Sequence, residues 1–276
     1  MGFALPASAQ TAASGPSPPA GSPAPEATEA LESDEQNLAK QLANPVASLV
    51  SVPFQFNYDG RLNTLEGGWR ANLNIQPVIP FSLNSDWNLI SRTILPLIYS
   101  GDAVVDSGRI FGTGDTLQSF FFSPVEPWNG VIWGAGPAFL LPTGSSAVYS
   151  VRQWGAGPTA VVLDQIGPWT IGVLANHVWS FAQSGYPAPD VSSTFIQPFV
   201  SYTTSDAWTF TLNTESTYDW VARKWQIPLN AVVSKVVKVG PQLMSFGVGA
   251  RYYAVSPNVA AKGWGARAIV TFLFPK

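Results

Sequence analysis

His177 is the chain's one histidine and lies in the segment ANHVWSF, with Asn176 before it and Ser180 three residues on. A serine, an imidazole and a polar orienting group are the parts of a nucleophilic lipid hydrolase, and they must converge on one surface. The surrounding residues read as a strand, in which positions 177 and 180 point to opposite faces. His177 shares parity with Trp169, Ile171 and Val173, so it is expected at an apolar interface rather than as a base. The chain has no cysteine, which excludes disulfides and thiolate metal sites. No metal-ligand spacing, phosphate loop or dinucleotide fingerprint is present. The expectation is no catalytic, cofactor-binding or metal-binding residue, and no enzyme.

The remaining chemistry is charge. Arg70, Arg92, Glu215, Arg251 and Arg267 each share parity, within their own segments, with polar or small residues. What positions them is alternation. Trp69, Ala71, Leu73, Ile75, Pro77, Ile79 and Phe81 are interleaved with Arg70, Asn72, Asn74 and Gln76, the period of a strand with two unlike faces. The same unit returns at 50–58, 131–141, 208–215 and 244–252, with further runs near 87–99, 115–123, 154–163, 169–182, 193–203, 225–238 and 264–274. That makes about twelve strands of about 7 to 14 residues, long enough to cross a membrane when tilted.

Composition says which face meets what. Only 11% of residues are charged and 46% are hydrophobic, with 11 Trp, 16 Phe and 8 Tyr, whereas a soluble domain carries about 25% charged residues. In a soluble barrel the second face would meet water and carry Lys, Glu and Asp; here it carries Asn, Gln, Ser, Thr and Gly. The apolar face is therefore expected to meet lipid and the polar face to line a lumen. Arg facing lipid near the midplane would cost roughly 2 to 4 kcal/mol, which accounts for the phase of the arginines. Lys235 breaks that phase near a strand end, where its stem could snorkel to the interface. Lumen-lining candidates are Arg70, Asn74, Gln76, Arg92, Gly134, Gly136, Gly155, Gly157, Asn213, Glu215, Gly247, Gly249, Arg251 and Arg267, the glycines leaving room along part of the wall. The net charge of −3 offers no basic footprint for nucleic acid.

The connections alternate. Those near 82–86, 124–130, 164–168, 204–207 and 239–242 are mostly short and rich in Asn, Asp, Gly and Pro, while those near 59–68, 100–114, 142–153, 183–192, 219–224 and 255–263 tend to be longer. Outer-membrane barrels have short periplasmic turns and longer outer loops, and an even strand count puts both termini in the periplasm. Trp87, Trp128, Trp169 and Trp208 sit in or just after the short turns, and Trp69, Trp154, Trp225 and Trp264 open strands returning from the long loops. They are expected to form an aromatic girdle at each interface. Pro53, Pro77, Pro80, Pro96, Pro137, Pro158, Pro198 and Pro228 oppose regular ladders and call for bulges or rim positions.

Ahead of the barrel, residues 1–9 end in Ala7-Ser8-Ala9, the small-x-small form that closes a signal peptide. Residues 10–32, rich in Ala, Pro and Ser, are expected as a disordered leader. A short helix is expected over 33–44, capped at Ser33 or Asp34 and stopped by Asn44-Pro45; it could occlude the periplasmic mouth. The barrel is expected over 46–276.

Several long motifs carry a resemblance. LAKQLANPVASLVSVPFQFNYD at 38–59, the hairpin NIQPVIPFSL with SDWNLISRTILP, WGAGPAFLLPT, WGAGPTAVVL, GPWTIGVLANHVWSFA and the terminal FLFPK resemble a widespread family of bacterial outer-membrane "transporter" proteins. Its members are sometimes misnamed neuromedin U and are related to the phenol meta-pathway degradation-like barrels. The resemblance covers about 36–276 and implies an outer-membrane β-barrel of undefined substrate; it supplies no catalytic residues.

Together these readings give an all-β, closed, antiparallel up-and-down transmembrane barrel of the Gram-negative outer membrane, porin-like and acting as a passive channel for a small solute, hydrophobic or aromatic. The expected partners are outer-membrane lipid, the barrel-assembly machinery during biogenesis and that solute; no cofactor is expected. The alternatives are a structural or adhesive barrel with a plugged lumen and, behind it, an outer-membrane lipid enzyme. About twelve strands enclose more space than an eight-stranded barrel and less than an open porin.

Overall fold

The computed structural model describes residues 25–62, 67–102, 108–185, 187–258 and 260–275. After helix α1 (Pro25–Leu42) come β1 (Val50–Leu62), β2 (Gly68–Ile75 and Val78–Ser82), β3 (Trp87–Gly101), β4 (Arg109–Thr113 and Thr116–Pro124), β5 (Val131–Leu141) and β6 (Gln153–Ile166). They are followed by β7 (Trp169–Gln183), β8 (Ser192–Thr203), β9 (Trp208–Thr214 and Ser216–Asp219), β10 (Lys224–Val239), β11 (Gln242–Val255) and β12 (Gly263–Phe274). Each strand pairs antiparallel with its neighbour in sequence. β1 also pairs with β12, from Val50 opposite Phe274 to Asp59 opposite Gly265. The sheet is thus a closed antiparallel barrel of 12 strands, which leaves no edge with unpaired amides. Among the described residues no helix is long and apolar enough to cross a membrane.

Cross-strand partners share a face, so the register fixes the inside. Asn57 pairs with Asn72 and with Arg267, and Asn230 pairs with Asn213 and with Arg251; these positions face inward. Phe56, Ile171, Leu212 and Val248 are exposed on the outer wall. Outward polar groups satisfy one another there. Thr93 donates to Gln118 at 2.6 Å and Gln118 to Ser91 at 3.0 Å, and the Thr214 and Ser216 hydroxyls lie 2.7 Å apart.

Three of the prolines sit where the ladders break, whereas Pro53, Pro80 and Pro198 lie within continuous ladders opposite Thr271, Ile90 and Val173. Pro77 lies in the gap dividing β2, and the carbonyl of Pro96 accepts from Gly114 in the gap dividing β4. Pro228 adjoins the bulge of β10 and its carbonyl accepts from Glu215 at the break in β9. Pro137 and Pro158 face each other across β5 and β6, so two missing donors share one place.

The inward glycines depart from the sequence expectation, because they leave no room. A Cβ on Gly136 would strike the Phe120 carbonyl, one on Gly157 the His177 carbonyl and one on Gly249 the Ala231 carbonyl. Gly134 is covered by Val46 and Phe121, Gly155 by Val178, and Gly247 by Ser234. Their space is taken by neighbouring strands and side chains, which glycine alone lets come so near.

α1 begins at Pro25, eight residues ahead of the helix expected over 33–44, and ends at Leu42. Pro is pre-organised for a first helical turn, and the Glu and Ala residues that follow it propagate a helix well. The expected leader 10–32 therefore ends sooner; its first part and the signal remnant 1–9 lie outside the described residues. Leu38, Ala39 and Leu42, with Ala47 and Leu49, pack on Ala207, Val236, Leu243 and Leu273. The Gln165 side chain donates to the Lys40 carbonyl at 2.9 Å. This places the helix across the mouth of the barrel at the end of the short turns, where β1 begins and β12 ends.

Candidate functional site

The lumen has two unlike walls. On the side of β9 to β12, β1 and β2, the Glu215 carboxylate is gripped by both arms of Arg267 at 2.9 and 2.7 Å, while Arg267 Nε donates to Asn57 at 2.7 Å. Arg251 Nη2 stands 3.8 Å from the same carboxylate. A second group lies beside it: Arg70 Nη2 meets Asp59 at 2.8 Å, and the Tyr253 hydroxyl donates to Asp59 at 3.1 Å. The Arg251 guanidinium covers the Tyr253 ring at 5.2 Å. Bidentate, charge-assisted pairs of this kind hold geometry as well as energy.

Opposite, β3 to β8 present Ile90, Phe121, Val161, Leu163 and Leu174, all buried, with Phe195 and Phe199 packed on them and Val46 inserted from the segment after α1. Arg92, on β3, stands where the walls meet and donates to Gln76 Oε1 at 3.1 Å. Asn213 accepts from Asn230 at 2.8 Å. Inside α1, a cavity of about 230 Å³ is bounded by Arg92, Gln76 and Asn213 and by Leu174 and Phe199.

The long loops add a second constriction at the other end. The Tyr149 hydroxyl lies 2.6 Å from Ser100 Oγ on the inner face and donates to the Ile110 carbonyl at 2.9 Å. Asp115 accepts from the amides of Gly144 and Val151 at 3.0 and 2.7 Å, and the Gln153 side chain donates to the Ala188 carbonyl at 2.9 Å. Loop 142–152 and residues 187–191 are thereby tied to the barrel.

Of the candidates read from sequence, Arg251, Arg267 and Glu215 come together, and Arg92 pairs with Gln76. Arg70 joins Asp59 instead, a partner missed because Asp59 was assigned to a loop, although it shares parity with Ser51, Gln55 and Asn57. Asn74 pairs with Gln55 and Pro96. The apolar wall was also missed, since β3 and β7 carry apolar residues on both faces and lose the period-2 signal there.

On the outer wall, rings collect at the strand ends. Trp169 meets Tyr202 at 4.9 Å, Trp264 meets Tyr252 at 5.0 Å, Trp225 meets Tyr218 at 4.9 Å and Trp69 meets Tyr99 at 5.1 Å. Trp87, Trp128, Trp154 and Trp208 are likewise exposed. Lys235 lies over the Trp208 ring at 5.1 Å.

His177 faces outward, its ring 4.0 Å from that of Trp179 at a tilt of 46°, with Nδ1 2.7 Å from Thr194 Oγ1. Ser180 is engaged elsewhere, accepting from the Val191 amide at 2.9 Å. The serine that does approach the imidazole is Ser192, 3.5 Å from Nε2, which sequence reasoning missed because it comes from the next strand. Among the described residues no cluster could hold a metal ion.

Comparison with protein-family models and with curated proteins finds no match. Among solved structures, the chain is similar to the COG4313 outer membrane channel from Pseudomonas putida F1, with a TM-score of 0.64 and 13% identity over 82% of this chain and 94% of that one. Similarity to the KdgM porin in complex with disordered oligogalacturonate (TM-score 0.46, 14% identity, 82% of this chain and 100% of that one) is lower. So is that to outer membrane phospholipase A from Escherichia coli (TM-score 0.46, 10% identity, 83% and 99%), and neither bears on function. The chain has the fold of an outer-membrane β-barrel channel.

Proposed function

We propose that the protein is an outer-membrane β-barrel that passively admits a small hydrophobic or aromatic solute, as a member of the transporter family its motifs resemble. Its short turns, α1 and both termini face the periplasm, its tryptophans form girdles in contact with lipid, and the barrel-assembly machinery inserts it. The observation that carries this reading is the lumen: a charged wall faces an apolar wall around a cavity, with a helix across one mouth held by packing and not by covalent closure. Conductance in planar bilayers and solute uptake into liposomes by the purified protein test it. A folded, heat-modifiable barrel showing neither would favour the structural or adhesive alternative.

A second reading rests on Ser192 beside His177 at the outer rim, where a lipid carbonyl could reach the hydroxyl. The 3.5 Å separation is longer than a good O–H···N bond, and the orienting group, Thr194, is uncharged. Phospholipid hydrolysis by the wild type that disappears in Ser192→Ala would establish it; no hydrolysis by the wild type removes it.

A further inference from the structure

The cavity behind α1 has one guanidinium and no carboxylate of its own. Among the described residues Arg92 makes a single hydrogen bond, to the neutral carboxamide of Gln76 at 3.1 Å, and no acid lies within ion-pair distance of it. Glu215 acts on Arg92 only at longer range, since its oxygens are held by Arg267 and approached by Arg251 at 3.8 Å. Among the described residues, the inward arginines 70, 92, 251 and 267 stand against Asp59 and Glu215, and Arg92 is the one of these four in no ion pair. A charge facing a confined space is costly unless something counters it. The guanidinium fork is the donor set that fits a planar carboxylate. Across the cavity stand Leu174 and Phe199, flanked by Gln197 and Ser201, while Val78 beside Arg92 and Leu49 extend the apolar part of the lining against which a ring can rest.

Size limits the ligand further. An apolar cavity of about 150 Å³ holds benzene, and drug-sized ligands take about 300 Å³ or more. A volume of about 230 Å³ therefore suits one ring bearing one carboxylate. A lone guanidinium compensates a single negative charge, which disfavours phosphate dianions.

We propose that this cavity is a binding site for a compact aromatic monocarboxylate, with the carboxylate on Arg92 and the ring against Leu174 and Phe199. This deepens the channel reading by naming what the lumen accepts, yet it needs only the folded barrel to be tested. Detergent-solubilised full-length protein, checked for heat-modifiable migration, is titrated calorimetrically with benzoate, benzyl alcohol and acetate at fixed ionic strength. Benzoate should bind more tightly than either of the others, and Arg92→Gln should weaken benzoate by about tenfold or more, the scale of a lost charge-assisted contact, while Arg223→Gln in an outer loop leaves it unchanged. The proposal is overturned if folded wild type does not bind benzoate, if acetate or benzyl alcohol binds as tightly, or if Arg92→Gln binds like wild type. Should Arg92→Gln fail to fold, Leu174→Trp fills the cavity from the far wall, and undiminished benzoate binding there overturns the proposal equally. Benzoate binding without bilayer conductance would keep the site and remove the channel.

Discussion

From β3 to β7 the inner face of the barrel is closed by Ile90, Phe121, Val161, Leu163 and Leu174, whereas from β9 round to β2 it is held by Glu215, Arg251, Arg267, Asp59 and Arg70. The first wall fills space by dispersion and exclusion of water, and its members are interchangeable in kind if volume is kept. The second fills space with charges whose geometry is specified, so that each depends on its partner. A lumen built wholly in the first way would be a solid core, and one built wholly in the second would bind water and ions without discrimination. Their meeting at Arg92 is where selectivity can arise.

The largest effect should come from breaching the apolar wall. Phe121 is completely buried, and Phe121→Ala should cost about 4 kcal/mol by loss of burial and creation of a cavity. Denaturant unfolding in detergent micelles measures this, and a change below about 1 kcal/mol would mean that the wall collapses around the gap. Next comes the charged wall. Glu215→Gln leaves Arg267 and Arg251 uncompensated and should cost about 3 kcal/mol, the lower end for a broken buried pair because the lumen admits water. The same variant should move the reversal potential in a salt gradient toward anions; an unchanged potential would place the solute path elsewhere.

Two smaller tests lie outside both walls and should leave ion selectivity alone. Lys235→Ala removes a cation from the Trp208 ring and should cost about 0.5 to 1 kcal/mol without altering conductance. In the short turn after β8, Thr204 Oγ1 donates to Asp206 at 2.6 Å and, with the Asp206 amide, holds this carboxylate below its ordinary value of 3.8. A depressed folded-state pKa contributes stability that is present above the unfolded value and lost as pH falls through the folded one. Thr204→Val should raise the Asp206 pKa toward 3.8, read by carbon-13 chemical shift against pH; an unmoved titration would show that the backbone amide suffices.

The barrel was legible in sequence where one face differed from the other. In 69–76 and 244–252 the alternation was clean, so the strand, its two faces and the inward arginines all followed. Where both faces are apolar the period vanishes, and Ile90, Phe121 and Leu174 could not be told from lipid-facing residues. The pairing of Arg267 with Glu215 was readable as an expectation because both were inward charges. Asp59 with Arg70, and Ser192 with His177, required the register of neighbouring strands, which depends on shear and not on spacing within a strand. The glycines misled for a related reason, since absence of a side chain says nothing about what moves into the gap.

The seat of α1 carries one more consequence, and it concerns time. Leu38, Ala39 and Leu49 rest on Val236 in β10 and on Leu273 in β12, so the surface that receives the helix is not complete until β12 has joined β1. Contacts of such sequence separation form slowly, because the intervening loop must be ordered before they repay its entropy. Docking of the helix therefore completes late in folding, together with or after closure. A chain truncated in β12 would lose this docking along with its closure, while one truncated before Leu38 would lose the docking alone.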